Sequence, residues 1–133
     1  MPFVLDNSVV TGWYIGDQAS DYTDAIAARL ETDRAIVPAI WQLEFTNILR
    51  TACMKGKMSV DAARQIVDVV TSLPIDVDHA TPGPRQLLEL AIRCNLSSYD
   101  AAYLELALRH ALPLASRDND LRNAALAEGV GLL

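Results

Sequence analysis

The chain has 133 residues, 51% of them apolar, enough for one domain with a true core and too few for two. That apolar content excludes a disordered chain. Its 17 acidic residues against 11 basic ones leave a net charge of −6, which argues against a broad basic face as the means of finding nucleic acid.

Phe3 to Leu5 is a short apolar run ending at the turn-forming cluster Asp6-Asn7-Ser8, and reads as a buried strand. Ser20 to Leu30 places Tyr22, Ile26 and Leu30 on one face of a helix. Ala35 to Val37 is a second strand, stopped by Pro38, and a helix follows from about Ala39 to Lys55, ended by Gly56. Ser59 caps the next helix, which carries Val60, Ala63, Ile66, Val67 and Val70. Leu73 to Val77 reads as a third strand. Pro82-Gly83-Pro84 opens a helix through Leu87, Leu88, Ala91 and Ile92, and Ser97 or Ser98 caps another that runs to His110. Leu112 to Ala115 is a fourth strand, Asp118 or Asn119 to Glu128 a last helix, and Val130 to Leu133 a terminal strand. Continuously apolar strands alternating with helices predict an α/β fold: a short, mostly parallel sheet of four to five strands between two helical layers. Residues 1–133 are expected to form one domain, with no repeat or linker. Cys53 and Cys94 lack metal-ligand spacing and read as reduced thiols. With no basic leader, cleavage signature or long apolar stretch, a cytoplasmic protein with no membrane association is expected.

Four carboxylates interrupt apolar runs: Asp6 in VLDNSVV, Glu44 in IWQLEFTNIL, Asp100 in SSYDAAYLELAL and Asp118 in LPLASRDNDLRNA. Ionised groups near a core need a partner, and no Lys or Arg is spaced to pair with Asp6, Glu44 or Asp100. In open parallel sheets ligands bind beyond the carboxyl ends of the strands. Asp6 follows the first strand and Asp118 the fourth. Glu44 lines up with Ile40 and Ile48 on a stripe expected to face inward, and Asp100 lies in the first turn of its helix. Two such charges about 4 Å apart repel by roughly 4 kcal/mol at an effective dielectric near 20. Either some hold protons or a cation sits among them. All-oxygen donors without His or Cys favour Mg²⁺ or Mn²⁺ over Zn²⁺, and metal-dependent phosphodiester chemistry follows. Ser8 and Ser116 stand beside Asp6 and Asp118 and are placed to orient them. Each acid also has a plainer reading: Asp6-Asn7-Ser8 as a strand-exit turn, Asp100 with Ser97 as a capping box, Asp118 as an N-cap. Setting the four aside leaves 13 acids against 11 bases, so the net charge belongs largely to this set.

The pattern resembles the PIN-domain nucleases, and within them the VapC-type toxins of bacterial toxin–antitoxin pairs. The likeness runs through essentially the whole chain. It lies in Asp6-Asn7-Ser8 after the opening strand, in Leu43-Glu44-Phe45-Thr46-Asn47, and most specifically in Tyr99-Asp100-Ala-Ala-Tyr103-Leu-Glu-Leu-Ala107. Ser116-Arg117-Asp118-Asn119-Asp120-Leu121 is similar to the family's Thr-x-Asp-x-x-Leu, with Ser116 in place of Thr and Asp120 as a rival for the fourth acid. The resemblance implies a PIN-like three-layer α/β/α fold and an Mg²⁺- or Mn²⁺-dependent endoribonuclease acting on RNA. It also implies a homodimer restrained by a cognate antitoxin. In that reading Asp6, Glu44, Asp100 and Asp118 are both catalytic and metal-binding, with Ser8 and Ser116 behind them. Arg50, Arg117, Arg122, Lys55 and Lys57 are candidate phosphate contacts. Trp13 and Tyr14 are candidates for base stacking, though core packing or a dimer contact suits them better, and His79 and His110 do not suit a general base. A PIN-fold module that binds RNA or a partner without cutting it is the alternative. A haloacid-dehalogenase-type phosphatase would need an Asp where Ser8 stands. A receiver domain would need an early acidic pair and a late Lys, and a DNA structure-specific nuclease usually carries further helices.

Overall fold

The computed structural model describes residues 1–80 and 82–133. Its elements in chain order are β1 (Phe3–Leu5), α1 (Asn7–Tyr14), a 3-10 turn (Gly16–Gln18), α2 (Asp21–Arg29), β2 (Ala35–Pro38), α3 (Ile40–Met54), α4 (Val60–Ser72), β3 (Ile75–Asp78), α5 (Pro84–Cys94), α6 (Ser98–His110), β4 (Leu114–Ala115) and α7 (Asn119–Ala127). The four strands pair parallel in the order β3-β2-β1-β4. β1 is central, and Phe3, Val4 and Leu5 are wholly buried because both faces of the sheet are covered.

Three local expectations change. The cluster Asp6-Asn7-Ser8 does not open a loop but starts α1, whose Val9 and Val10 enter the core. This helix lies close against α2: a Cβ on Gly12 would stand 2.4 Å from Thr23 Cγ2, so only glycine permits the approach. The terminal segment forms no strand; Leu132 makes one isolated parallel bridge to Leu114, because β4 is only two residues long and offers little edge to pair with. β3 is not continuously apolar. It is an edge strand, and its alternate residues Asp76 and Asp78 turn outward to ion pairs. Arg34 binds Asp76 through two nitrogens at 2.8 and 2.7 Å, while Asp78 takes Arg109 and His110 from the end of α6 at 3.0 and 2.7 Å. These contacts hold the Asp78 carboxyl down at about 2, chiefly through the His110 hydrogen bond.

Candidate active site

Asp6 is set at the carboxyl end of β1 by its own N–H, which donates to Ala115 O of β4 at 3.0 Å. It takes the N-cap position of α1 but makes no side-chain cap bond. Instead Oδ2 accepts from Ser8 Oγ and from Ser116 Oγ, both at 2.8 Å. Ser8 Oγ in turn accepts from Arg117 N at 2.9 Å, and Ser116 Oγ from Asp118 N at 3.0 Å. Each hydroxyl has one hydrogen and already receives a backbone donor, so both hydrogens point at Asp6. Burial pushes the Asp6 carboxyl upward, the two serines oppose that, and the charge of Asp118 adds to it.

Glu44 reaches the same rim from α3. The buried stripe of that helix is Trp41, Phe45, Leu49 and Ala52; Glu44, with Ile40 and Ile48, flanks it and is half-buried, not inward-facing as the spacing predicted. The shift is one position around the helix, and it leaves the carboxylate accessible while the aromatic pair Trp41–Phe45 fills the interior. Tyr103 OH, fully buried on α6, donates to Glu44 Oε1 at 2.7 Å and accepts from Asn7 Nδ2 at 3.3 Å; Asn7 Nδ2 also donates to Trp41 O. Helices α1, α3 and α6 are thus joined at one polar node. Burial and the neighbouring acids drive the Tyr103 hydroxyl far above the usual phenol range, so it stays a donor. Burial also raises Glu44, with Asp6 adding to it and Tyr103 opposing. Sequence reasoning gave neither Asn7 nor Tyr103 a site role. The signal was present in Tyr103, since a tyrosine on a buried face needs a partner for its hydroxyl.

Asp100 sits in the first turn of α6, whose N-cap Ser97 accepts from the Asp100 backbone N–H at 3.1 Å. The capping role and the site role therefore coexist, because the cap uses the backbone and leaves the carboxylate free. Burial pushes Asp100 up to about 6, with added repulsion from Asp118, Asp6, Glu44 and Asp120 in that order. Asp118 is partly buried and Asp120 exposed. Asp118 caps α7 through Oδ1, which accepts from Leu121 N at 3.1 Å. The four acids thus feel one another across the carboxyl ends of β1 and β4.

Among the described residues no group of three His, Cys, Asp or Glu side chains is arranged, as it stands, to hold a metal ion. Asp6, Glu44 and Asp118 each turn one oxygen to a protein donor. The donor chemistry nonetheless fits a hard cation. All four groups are carboxylates, and none forms an ion pair among the described residues. Asn7 Oδ1, a buried acceptor beside Asp6, has no hydrogen-bond partner among the described residues.

The flanking residues divide differently from expectation. Arg117 donates to Ser8 O at 2.7 Å, to Gln18 O and to Thr11 Oγ1, and Arg122 donates to Ser116 O at 2.8 Å while lying over the Tyr22 ring. Both fasten the site's own backbone, Arg117 through Nε, Nη1 and Nη2 and Arg122 through Nη1 alone. Arg50, Lys55 and Lys57 are exposed. Trp13 donates to Thr23 O at 2.7 Å and meets Tyr14 edge to face, so this pair packs α1 on α2 instead of offering a stacking face.

A family model described as PIN domain matches residues 3–126. Ribonuclease VapC1 of Mycobacterium tuberculosis is 30% identical over 125 residues, covering 91% of this chain and 89% of its own length. Among solved structures, PAE2754 from Pyrobaculum aerophilum superposes with a TM-score of 0.71 at 20% identity, over 93% of this chain and 84% of that one. VapBC2 from Rickettsia felis, solved bound to a DNA fragment from its promoter, also gives 0.71, at 11% identity over 100% and 98%. At those identities the two structures speak to the fold.

Proposed function

This chain belongs to the PIN domain family, in its VapC-type branch, and from that premise we propose that it is a divalent-metal-dependent endoribonuclease, the toxin of a toxin–antitoxin pair. The observation that carries the proposal is the Asp100 carboxyl, raised to about 6 by burial and by Asp118, Asp6, Glu44 and Asp120, with none of the four rim acids in an ion pair among the described residues. Such mutual repulsion is costly unless a cation relieves it.

Asp6 and Asp100 would hold Mg²⁺ or Mn²⁺, with Glu44 and Asp118 completing the set. When bound, such an ion lowers the pKa of water and neutralises charge developing on the scissile phosphate. Ser8 and Ser116 fix the rotamer of Asp6, leaving Oδ1 free of them. Tyr103 does the same for Glu44 through Oε1. The acids on the rim also exclude a second anion unless a cation accompanies it, which confines phosphate to the loaded site.

In this reading residues 1–133 are one nuclease domain that works in the cytoplasm as a homodimer and is silenced by a cognate antitoxin. Leu43, Leu88 and Ile92 are 68%, 57% and 70% exposed, and such apolar side chains suit contacts with protein partners. No helix among the described residues is long and apolar enough to cross a membrane.

The test is incubation of a total-RNA pool with the purified protein, with Mg²⁺, with Mn²⁺ and with chelator, the cut ends mapped by sequencing. Discrete internal cuts that require the metal and vanish in Asp100→Asn are expected. Equal cutting in chelator, or by Asp100→Asn, would overturn the mechanism; a folded, metal-loaded protein that binds RNA and leaves it intact would make it a binding module.

A further inference from the structure

We propose that the apolar cavity beside the acids is a nucleobase pocket, seating one base of the RNA next to the bond that is cut. The cavity holds about 240 Å³ and is bounded by Pro38 and Ile40, by Leu87 of α5, and by Tyr99 and Ala102 of α6. This inference rests on the ribonuclease reading for the identity of the ligand, and on the fold for its position.

Position comes first. The acids occupy the carboxyl ends of β1 and β4, and the cavity opens at the carboxyl end of β2, the next strand of the same sheet. Two helices serve both compartments. On α6, Tyr99 precedes Asp100 directly; on α3, Ile40 lies one turn before Glu44. Successive positions on a helix are about 100° apart, so Tyr99 stands between the face of α6 that carries Asp100 and the face of Ser98 and Ala102 that lines the cavity.

Chemistry selects the occupant. Arg109 also lines the cavity, but its guanidinium donates to Glu105 Oε1 at 2.7 Å, to Glu105 Oε2 and Ala80 O at 3.3 Å, and to Asp78 Oδ2 at 3.0 Å. Among the described residues no unshared charge is left there to hold a phosphate, so the remaining walls suit a neutral, flat, largely apolar group. The volume falls below the roughly 300–1,000 Å³ of drug-sized sites and suits a single ring system. Tyr99 is 61% exposed at the start of α6, a ring standing in solvent where a base can stack on it. Because the charged groups Arg109 and Glu105 satisfy one another, shape and stacking, not hydrogen-bond readout, set the preference.

The experiment is a methyl-resolved NMR titration of the Mg²⁺-loaded protein with each of the four nucleoside 5′-monophosphates, and with ribose 5-phosphate as the baseless control. The Ile40, Leu87 and Ala102 methyls are expected to shift with at least one nucleotide and not with ribose 5-phosphate. Tyr99→Ala, at an exposed position that the fold tolerates, is expected to weaken that binding about tenfold. Unmoved pocket methyls with every nucleotide would overturn the proposal, as would equal shifts with ribose 5-phosphate. So would methyls that respond only to a peptide bearing a leucine or phenylalanine, which would give the pocket to a protein side chain. RNA cleavage by the same preparation separates the two readings: cutting with silent methyls ends the pocket alone, and shifting methyls without cutting end the nuclease alone.

Discussion

At the scale of single residues, the site sets stability against function. Asp100 carries a folded-state value of about 6, well above an ordinary aspartate near 3.9, so the folded state binds its proton more tightly than the unfolded chain does. The penalty is present in full above about pH 6 and disappears as pH falls through the folded value toward the unfolded one. Asp100→Asn removes the charge and keeps the shape. In chelator at pH 7.5 this variant is expected to melt about 4 °C higher than the wild type. That corresponds to about 1 kcal/mol once solvent screening of a half-exposed group is allowed for. The gain should shrink as pH falls below about 6 and vanish below the unfolded value near 3.9. A variant that loses both cleavage and stability at neutral pH would mean that Asp100 contributes to packing and not to a strained charge cluster. Glu44 and Asp6 share the raised direction, but each has hydroxyl donors that offset part of it, and Asp100 has none among the described residues.

At the scale of elements, most of the chain was legible because its signals are local. Ser20, Ser59, Ser97 and Asp118 cap the helices they were expected to begin, and β1 and β2 fall where short apolar runs meet a turn cluster or a proline. Helix α1 was not legible: eight residues with only a turn-forming start look like a loop until α2 is packed on Gly12. The roles of the arginines were hidden for a related reason, since a guanidinium beside an acid reads as a phosphate ligand whatever carbonyl it will meet. Arg117 is the clearest instance. It bridges the loop after β4 to Ser8 O and Thr11 Oγ1 of α1 and to Gln18 O of the 3-10 turn. Charge-assisted bonds of this kind contribute about 1.5–3 kcal/mol each before losses elsewhere. Arg117→Ala is therefore expected to lower the urea-unfolding free energy by about 2 kcal/mol, whereas Arg50→Ala, at an exposed site, should stay within about 0.5 kcal/mol. Equal stability of the two variants would return Arg117 to the list of free cations. The acids were legible one by one and were expected on one rim; what was not legible is that β1 and β4 are neighbours, because no local pattern states strand order.

At the scale of the whole molecule, two groups of carboxylates pull the pH profile in opposite directions. Asp6, Glu44 and Asp100 are raised, chiefly by burial, so their contribution makes the metal-free protein more stable as pH falls from about 7 toward 4. Asp33, Asp76, Asp78 and Glu128 are lowered, chiefly by hydrogen bonds from the N-terminus, from Arg34, from His110 and from Arg93 in turn, and stabilise the fold above the unfolded value near 4; that contribution is lost as pH falls further, for Asp78 toward about 2. The metal-free protein should accordingly be most stable near pH 4–5, on the acid side of neutrality. A hard cation bound among the rim acids cancels the first contribution and leaves the second. At a hundredfold excess over its dissociation constant it adds about 2.7 kcal/mol, or roughly 8–10 °C in melting temperature for a chain of this size. Thermal scans from pH 3 to 8 in chelator, in Mg²⁺ and in Mn²⁺, with ionic strength matched by a monovalent salt, measure both effects. The divalent ions should raise the neutral-pH melting point beyond the salt control and move the optimum upward. A melting point that ignores the divalent ions, combined with a chelated protein already most stable at pH 7, would show that these acids do not form one electrostatic unit.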